Sequence, residues 1–271
     1  LSRNLEDGHH PGQPARRGGV FLFTAPTPEQ ITLPEAWQRQ RLADIKKGKS
    51  IELADIDGDG DSDILYAGTR KVRWLENPAN EISVQDWKSH RIGAASDLAL
   101  CDINNDGIED VVATAGRRDF PVVAKWFQGT ENPRTHDQGW QQHDIRIDGH
   151  LPTKFYQWQD FALKSISCGH FQPLDDATPP IQLMLTASGT GYGVFLVSAP
   201  ANGDVTGDTP WRSEPVSEYK YVMKYDNSLA TDIDSDGDMD FVTTEENEGL
   251  TFSGAGVVWF ENTPCGPGHG D

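Results

Sequence analysis

Carboxylates stand at Asp55, Asp57, Asp59, Asp61 and Asp63, on alternate positions of a nine-residue loop with Gly60 sixth. Alternate side chains on a sharply turned loop converge on one point, and the glycine permits the turn. Positions one, three, five and nine offer side-chain oxygens, and position seven offers its carbonyl. A dense, all-oxygen donor set suits a hard cation, and calcium above magnesium because the cage is irregular and flexible. A helix–loop–helix calcium site would need a glutamate at position twelve, where Tyr66 stands. The flanks Ile51 to Ala54 and Ile64 to Ala67 read instead as short apolar strands.

The loop recurs as Asp102, Asn104, Asp106, Ile108 and Asp110 around Gly107, and as Asp232, Asp234, Asp236, Asp238 and Asp240 around Gly237. Three calcium ions are therefore expected. Each would be held by four side-chain oxygens and one carbonyl (Asp61, Ile108 or Asp238) at about 2.3–2.6 Å. A degenerate copy has Gly169, Phe171 and Pro173 at the ligand positions and should bind none.

The loops need strands to hold them. An aromatic strand follows at Val72 to Asn77, Ala124 to Phe127, Gly193 to Pro200 and Val257 to Asn262, with an early copy at Gly19 to Pro26. A Trp-led polar strand starts at Trp37, Trp87, Trp140 and Trp211. A period of roughly 50 residues with four strands predicts an all-β fold, a β-propeller of four-stranded antiparallel blades. About five blades are represented, the terminal ones partial, near 1–44, 45–93, 94–147, 148–217 and 218–263. They form one domain over 1–263, and residues 264–271 are a tail.

Composition narrows the partners. The net charge of −19 argues against nucleic acid or an anionic membrane surface. No apolar run is long enough for a membrane helix, so no insertion is expected. The chain opens on Leu1 rather than Met, which reads as a processed or trimmed segment. Calcium at millimolar level is found outside the cytoplasm, so an extracellular or periplasmic location is expected. Cys101, Cys168 and Cys265 fit no zinc or haem spacing. Cys101 and Cys168 each stand just before a loop start and read as small buried residues rather than a disulfide.

The acidic loops between strands resemble FG-GAP/VCBS repeats, the calcium-loop blades of integrin α heads. Val257 to Asn262, Trp87 to Ile92, Lys224 to Asn227 and Thr243 to Asn247 resemble segments of exported bacterial VCBS-repeat proteins. The resemblance spans residues 19 to 263 and implies a calcium-binding propeller. Propellers of that family usually have seven blades, so this chain would be shorter or would pair with an absent portion.

Function is expected where the repeat is broken. Loops opposite the acidic ones carry Arg117, Arg118, His150, Lys154, Tyr156, Trp158, Tyr192, Tyr221, Lys224 and Tyr225. Aromatic rings stack on sugars, and the cations suit uronate or sulfate groups. A binding module for carbohydrate or an extracellular protein is the first expectation. A polysaccharide-lyase-like enzyme is the second, with His and Tyr as base and acid. A structural subunit that self-associates is the third. His90 and His143 fall at matching places after a Trp, which predicts structural roles, and the adjacent His9 and His10 read as solvated.

Overall fold

Central strands here are apolar at nearly every position, which buries both faces, while flanking strands alternate. The computed structural model describes residues 18–68, 70–78, 87–116, 119, 122–131, 133–135, 139–149, 162–171, 181–188, 193–217, 223–247 and 256–262. Their fold is all-β. Helix among them is limited to single 3-10 turns at Pro28–Gln30, Pro34–Ala36 and Pro133–Thr135.

The strands fall into five successive antiparallel groups. The first is β1 (Gly19–Thr24) with β2 (Gln38–Asp44). The second is the meander β3 (Gly48–Ala54), β4 (Asp63–Gly68), β5 (Lys71–Glu76) and β6 (Lys88–Gly93). The third runs β7 (Leu98–Cys101), β8 (Asp110–Thr114), β9 (Val122–Gln128) and β10 (Gln141–Gly149). The fourth runs β11 (Ala162–Gly169), β12 (Gln182–Ser188), β13 (Val194–Ser198) and β14 (Trp211–Pro215). The last is β15 (Met223–Thr231), β16 (Asp240–Asn247) and β17 (Gly256–Phe260). Short bridges link the last three groups into one eleven-stranded sheet: β10 pairs in parallel with β14 from Ile147 to Gly149, and β12 meets β15 at Ser188 and Lys224.

The cores lie between groups, not within them. On β4, Ile64 and Tyr66 face Val20 and Ile45 near the first pair, while Leu65 and Ala67 face Val111 and Phe127 of the third group. Val112 and Trp126 then pack with Leu183, Phe195 and Trp211 of the fourth, and Val194 packs with Tyr225 and Phe241 of the fifth. Trp74 and Trp126 are both 0% exposed. Fully burying such a ring stabilises by about 3 kcal/mol. His90 stacks on Trp74 at 4.4 Å and His143 on Trp126 at 4.3 Å, the structural roles expected of them. The approach is tight enough that a Cβ at Gly93 would collide with the Phe127 ring of the next group.

The leading strands of successive groups are tied side to side. Leu98 N donates to Ser50 Oγ at 2.9 Å, Ile166 N to Asp97 Oδ2 at 3.2 Å, and Ser167 Oγ meets Ser228 Oγ at 2.9 Å. One tie corrects the sequence reading: Cys101 on β7 and Cys168 on β11 form a disulfide, with a Cα–Cα distance of 6.3 Å. Equivalent positions on neighbouring leading strands face one another, so two small side chains at that place become partners.

This bond closes a loop with a sequence separation of 67. Loop closure on that scale is worth about 4 kcal/mol through the unfolded chain. Reduction, or Cys168→Ala, should lower the melting temperature by several degrees. A melting temperature indifferent to reductant would contradict the pairing.

Candidate metal centres

Each acidic loop joins the first two strands of its group: Asp55 to Asp63 between β3 and β4, Asp102 to Asp110 between β7 and β8, Asp232 to Asp240 between β15 and β16. The sixth residue has positive φ each time, at Gly60 (93°), Gly107 (86°) and Gly237 (99°). Only glycine takes that conformation without strain.

Hydrogen bonding repeats in all three. The first aspartate caps the turn: Asp55 accepts from Asp59 N (3.1 Å) and Gly60 N (2.9 Å), Asp102 from Asp106 N (3.0 Å) and Gly107 N (2.8 Å). Asp232 accepts from Ser235 N (2.6 Å) and Gly237 N (3.1 Å). The ninth aspartate is buried and splints the loop. Asp63 accepts from Ile56 N (3.0 Å) and Asn77 N (2.8 Å), Asp110 from Ile103 N (3.0 Å) and Gly129 N (2.6 Å). Asp240 accepts from Ile233 N (3.1 Å) and Asn262 N (2.9 Å). Spacing alone assigns this residue only as a ligand. Its second partner lies past the end of the group's third strand, and the recurring Asn77 and Asn262 after Glu76 and Glu261 are the available signal.

The donor sets fit a cation in the first and third loops. One oxygen each from Asp55, Asp57 and Asp63 lie within 4.8 Å of one another, as do those of Asp232, Asp234 and Asp240. That separation suits oxygens about 2.3–2.6 Å from a shared ion. Both carboxylate oxygens of Asp61 and Asp238 are buried without a hydrogen-bond donor, and those of Asp57 are buried with the Arg134 guanidinium set against them at 2.6 Å. Buried, unpartnered carboxylates are costly, and a cation would relieve them. The second loop is less charged. Asn104 donates to Asp106 Oδ2 at 2.8 Å, and Ile108 can offer only its carbonyl.

Electrostatics follow this crowding. Burial pushes the Asp63 and Asp110 carboxyls up to about 6, against hydrogen bonds from Asn77, Ile56, Gly129 and Ile103 that pull down. Asp61, Asp234 and Asp238 are raised by burial and then by neighbouring carboxylates. Burial also raises Asp57, opposed by Arg134, and the Ile108 amide lowers Asp106.

Of the residues proposed to meet a ligand, Arg117, Arg118, His150, Lys154, Tyr156, Trp158, Tyr192 and Tyr221 lie outside the described residues, as do His9 and His10. Lys224 is half-buried and pairs with Asp226 at 3.0 Å. Tyr225 is buried with Phe241, its ring 6.5 Å from that of Phe260, so it packs the core rather than a rim. In the degenerate copy, Phe171 is buried in the same cluster.

Residues 55–113 match the model of the FG-GAP-like repeat, so this stretch is an FG-GAP-like repeat. It opens on the first residue of the first loop and closes just past the second. No curated protein matches the chain. Among solved structures, the chain is similar to one described as the structural basis of specific recognition of non-reducing terminal N-acetylglucosamine by an Agrocybe aegerita lectin. Identity is 17% and the TM-score 0.40, over 82% of this chain and 53% of that one. The chain thus spans about half that structure's length.

Carboxylates raised to about 6 at Asp63, Asp97 and Asp110 set the pH response. Their folded values exceed the unfolded ones. In chelator, the stability they contribute is full below about pH 4 and is lost as pH rises through about 6. In excess calcium the loop carboxylates must ionise to bind, so calcium-dependent stabilisation should grow over the same window. Melting temperatures from pH 4 to 7 in chelator and in calcium check this, and parallel curves would refute it. Asp97→Asn should flatten part of the chelator slope.

Proposed function

We propose that this chain, which carries an FG-GAP-like repeat, is a calcium-stabilised β-propeller module. It works outside the cytoplasm by binding carbohydrate or an extracellular protein. The observation that carries the calcium reading is the convergence, within 4.8 Å, of one oxygen each from Asp55, Asp57 and Asp63, and likewise from Asp232, Asp234 and Asp240, inside loops turned at Gly60 and Gly237. Asp55, Asp57, Asp59 and Asp63, with the Asp61 carbonyl, would hold the first ion. Asp102, Asn104, Asp106 and Asp110 with the Ile108 carbonyl would hold the second, and Asp232, Asp234, Asp236 and Asp240 with the Asp238 carbonyl the third. Calcium supplies charge neutralisation and cross-linking there, while Asp63, Asp110 and Asp240 keep each loop fixed to the end of its sheet.

The propeller reading rests on the order of contacts. β3, β7, β11 and β15 are each tied to the next, as a ring of innermost strands requires. The proposed blades are 1–44, 45–93, 94–147, 148–217 and 218–263, a division that the five strand groups support. Export is supported by the Cys101–Cys168 disulfide, a bond of oxidising compartments. No helix among the described residues is long and apolar enough to cross a membrane. The binding reading draws on the cationic and aromatic residues from Arg117 to Tyr221, which stand in sequence outside the acidic loops.

A subunit role has a specific observation in its favour. Trp259 and Val257 occupy the places of Trp74 and Val72, which are fully buried by the following group. In the last group they are 44% and 72% exposed, and Leu229 beside them is 58% exposed. A soluble protein rarely leaves such a face bare, so it suits contact with another polypeptide or a second copy.

With dissociation constants near 10⁻⁴ M, millimolar calcium stabilises by about 1.4 kcal/mol per site. Asp57→Ala and Asp234→Ala should each remove one site by calorimetric titration and shrink the calcium-induced rise in melting temperature. No calcium heat, and no effect of chelator, would remove the reading. Binding is tested on arrays of uronate- and sulfate-bearing glycans with calcium and with EDTA, retention in calcium alone being expected. Light scattering on a sizing column tests the exposed face. Self-association that Trp259→Ser weakens supports contact between copies, and a 29.9 kDa monomer at all concentrations excludes it.

A further inference from the structure

Arg134 sits in the 3-10 turn Pro133–Thr135 between β9 and β10, in the third group, yet its guanidinium lies in the first loop of the second group. Its Nη2 is 2.6 Å from Asp57 Oδ2 and donates to Asp59 Oδ2 at 2.8 Å. Its Nε donates to Glu76 Oε1 at 3.0 Å. The Asp57 approach is an ionic contact without hydrogen-bond alignment, since both Asp57 oxygens lack a properly directed donor. Asp57 is only 1% exposed in its side chain, so this charge is set against a buried carboxylate.

Asp57 and Asp59 are positions three and five, the two ligands flanking the first loop's centre. One nitrogen bridging both takes up the negative charge that calcium needs. The other loops are not treated alike. The second loop's Asp106 meets the neutral amide of Gln128 at 3.5 Å. No ion pair to a third-loop carboxylate is found among the described residues.

We propose that Arg134 is a resident counter-cation of the first loop, which calcium must displace from Asp57 and Asp59 while Glu76 retains it. The claim rests on the calcium reading above. Its consequence is a ranking: two loops with the same five aspartates differ in affinity, and the first is weaker than the third. The arginine comes from the next group, so calcium entry also exchanges a contact between groups for one within the loop. Glu76 is placed to hold the released side chain because it also engages His90 at 2.9 Å and Lys88 at 3.7 Å. Burial would raise its carboxyl, but His90, Lys88 and Arg134 keep it below the usual range.

The test is calcium titration calorimetry on the whole chain carrying Asp234→Ala, which leaves the first loop as the only five-aspartate site. Adding Arg134→Gln should tighten the first site roughly fivefold, the scale of one partly exposed ion pair. Arg134→Lys should fall between, because an ammonium keeps the charge without the planar fork. The calcium-induced rise in melting temperature should be larger in Arg134→Gln than in the parent, with the calcium-free form less stable. A first-site affinity unchanged or weakened by Arg134→Gln, with calcium still bound, overturns the counter-cation role. Absence of calcium binding in every variant, including the unmodified chain, overturns the calcium reading itself and this inference with it.

Discussion

A strand that is apolar on both faces cannot be buried by its own sheet. β4 places Ile64 and Tyr66 on one side and Leu65 and Ala67 on the other, all buried. A four-stranded meander with such a centre is stable only between two neighbours, because each face must leave water separately. The interleaved clusters, the Trp–His stacks and the close approach at Gly93 all follow. The same constraint explains why Trp259 stands out: its sheet has a covered face and a bare one.

Stacking sheets face to face turns their loops into a row at one end, and there the chain concentrates negative charge. Carboxylates buried beside one another raise each other's proton affinity and oppose folding unless a cation joins them. The fold meets this in graded ways. The ninth aspartates are held by two backbone amides each, one from the loop and one from just past the group's third strand. The second loop lowers its charge with Asn104 and Ile108. The first imports Arg134. The third has five aspartates and no such partner among the described residues.

Much of this was legible in the sequence because the signals are local. Loop spacing, the glycine at position six and the period of strand types lie within windows of one group. The strands beginning after Trp37, Trp87 and Trp140, and at Trp211, occur where the pattern places them. What escaped was lateral. Cys101 and Cys168 read as two small core residues because nothing in either segment says that β7 and β11 lie side by side. Tyr225 read as a rim aromatic, but its place on β15 turns the ring into the cluster around Phe241. Pattern gives the alternation of a strand, not which of its faces meets a neighbour.

Arg134 shows the same limit in electrostatic form. It is 75 residues from Asp59 in sequence and 2.8 Å from it in space. By composition it is one of many surface cations in an acidic chain. What gives it a role is that the β9–β10 turn of one sheet ends beside the β3–β4 loop of the sheet before it. Because those two turns meet, the charge of the first loop is met in part by the next group. The first acidic loop is therefore not a self-contained group of charges: the neighbouring sheet projects a cation toward it, and loops with the same five aspartates stand in different electrostatic settings.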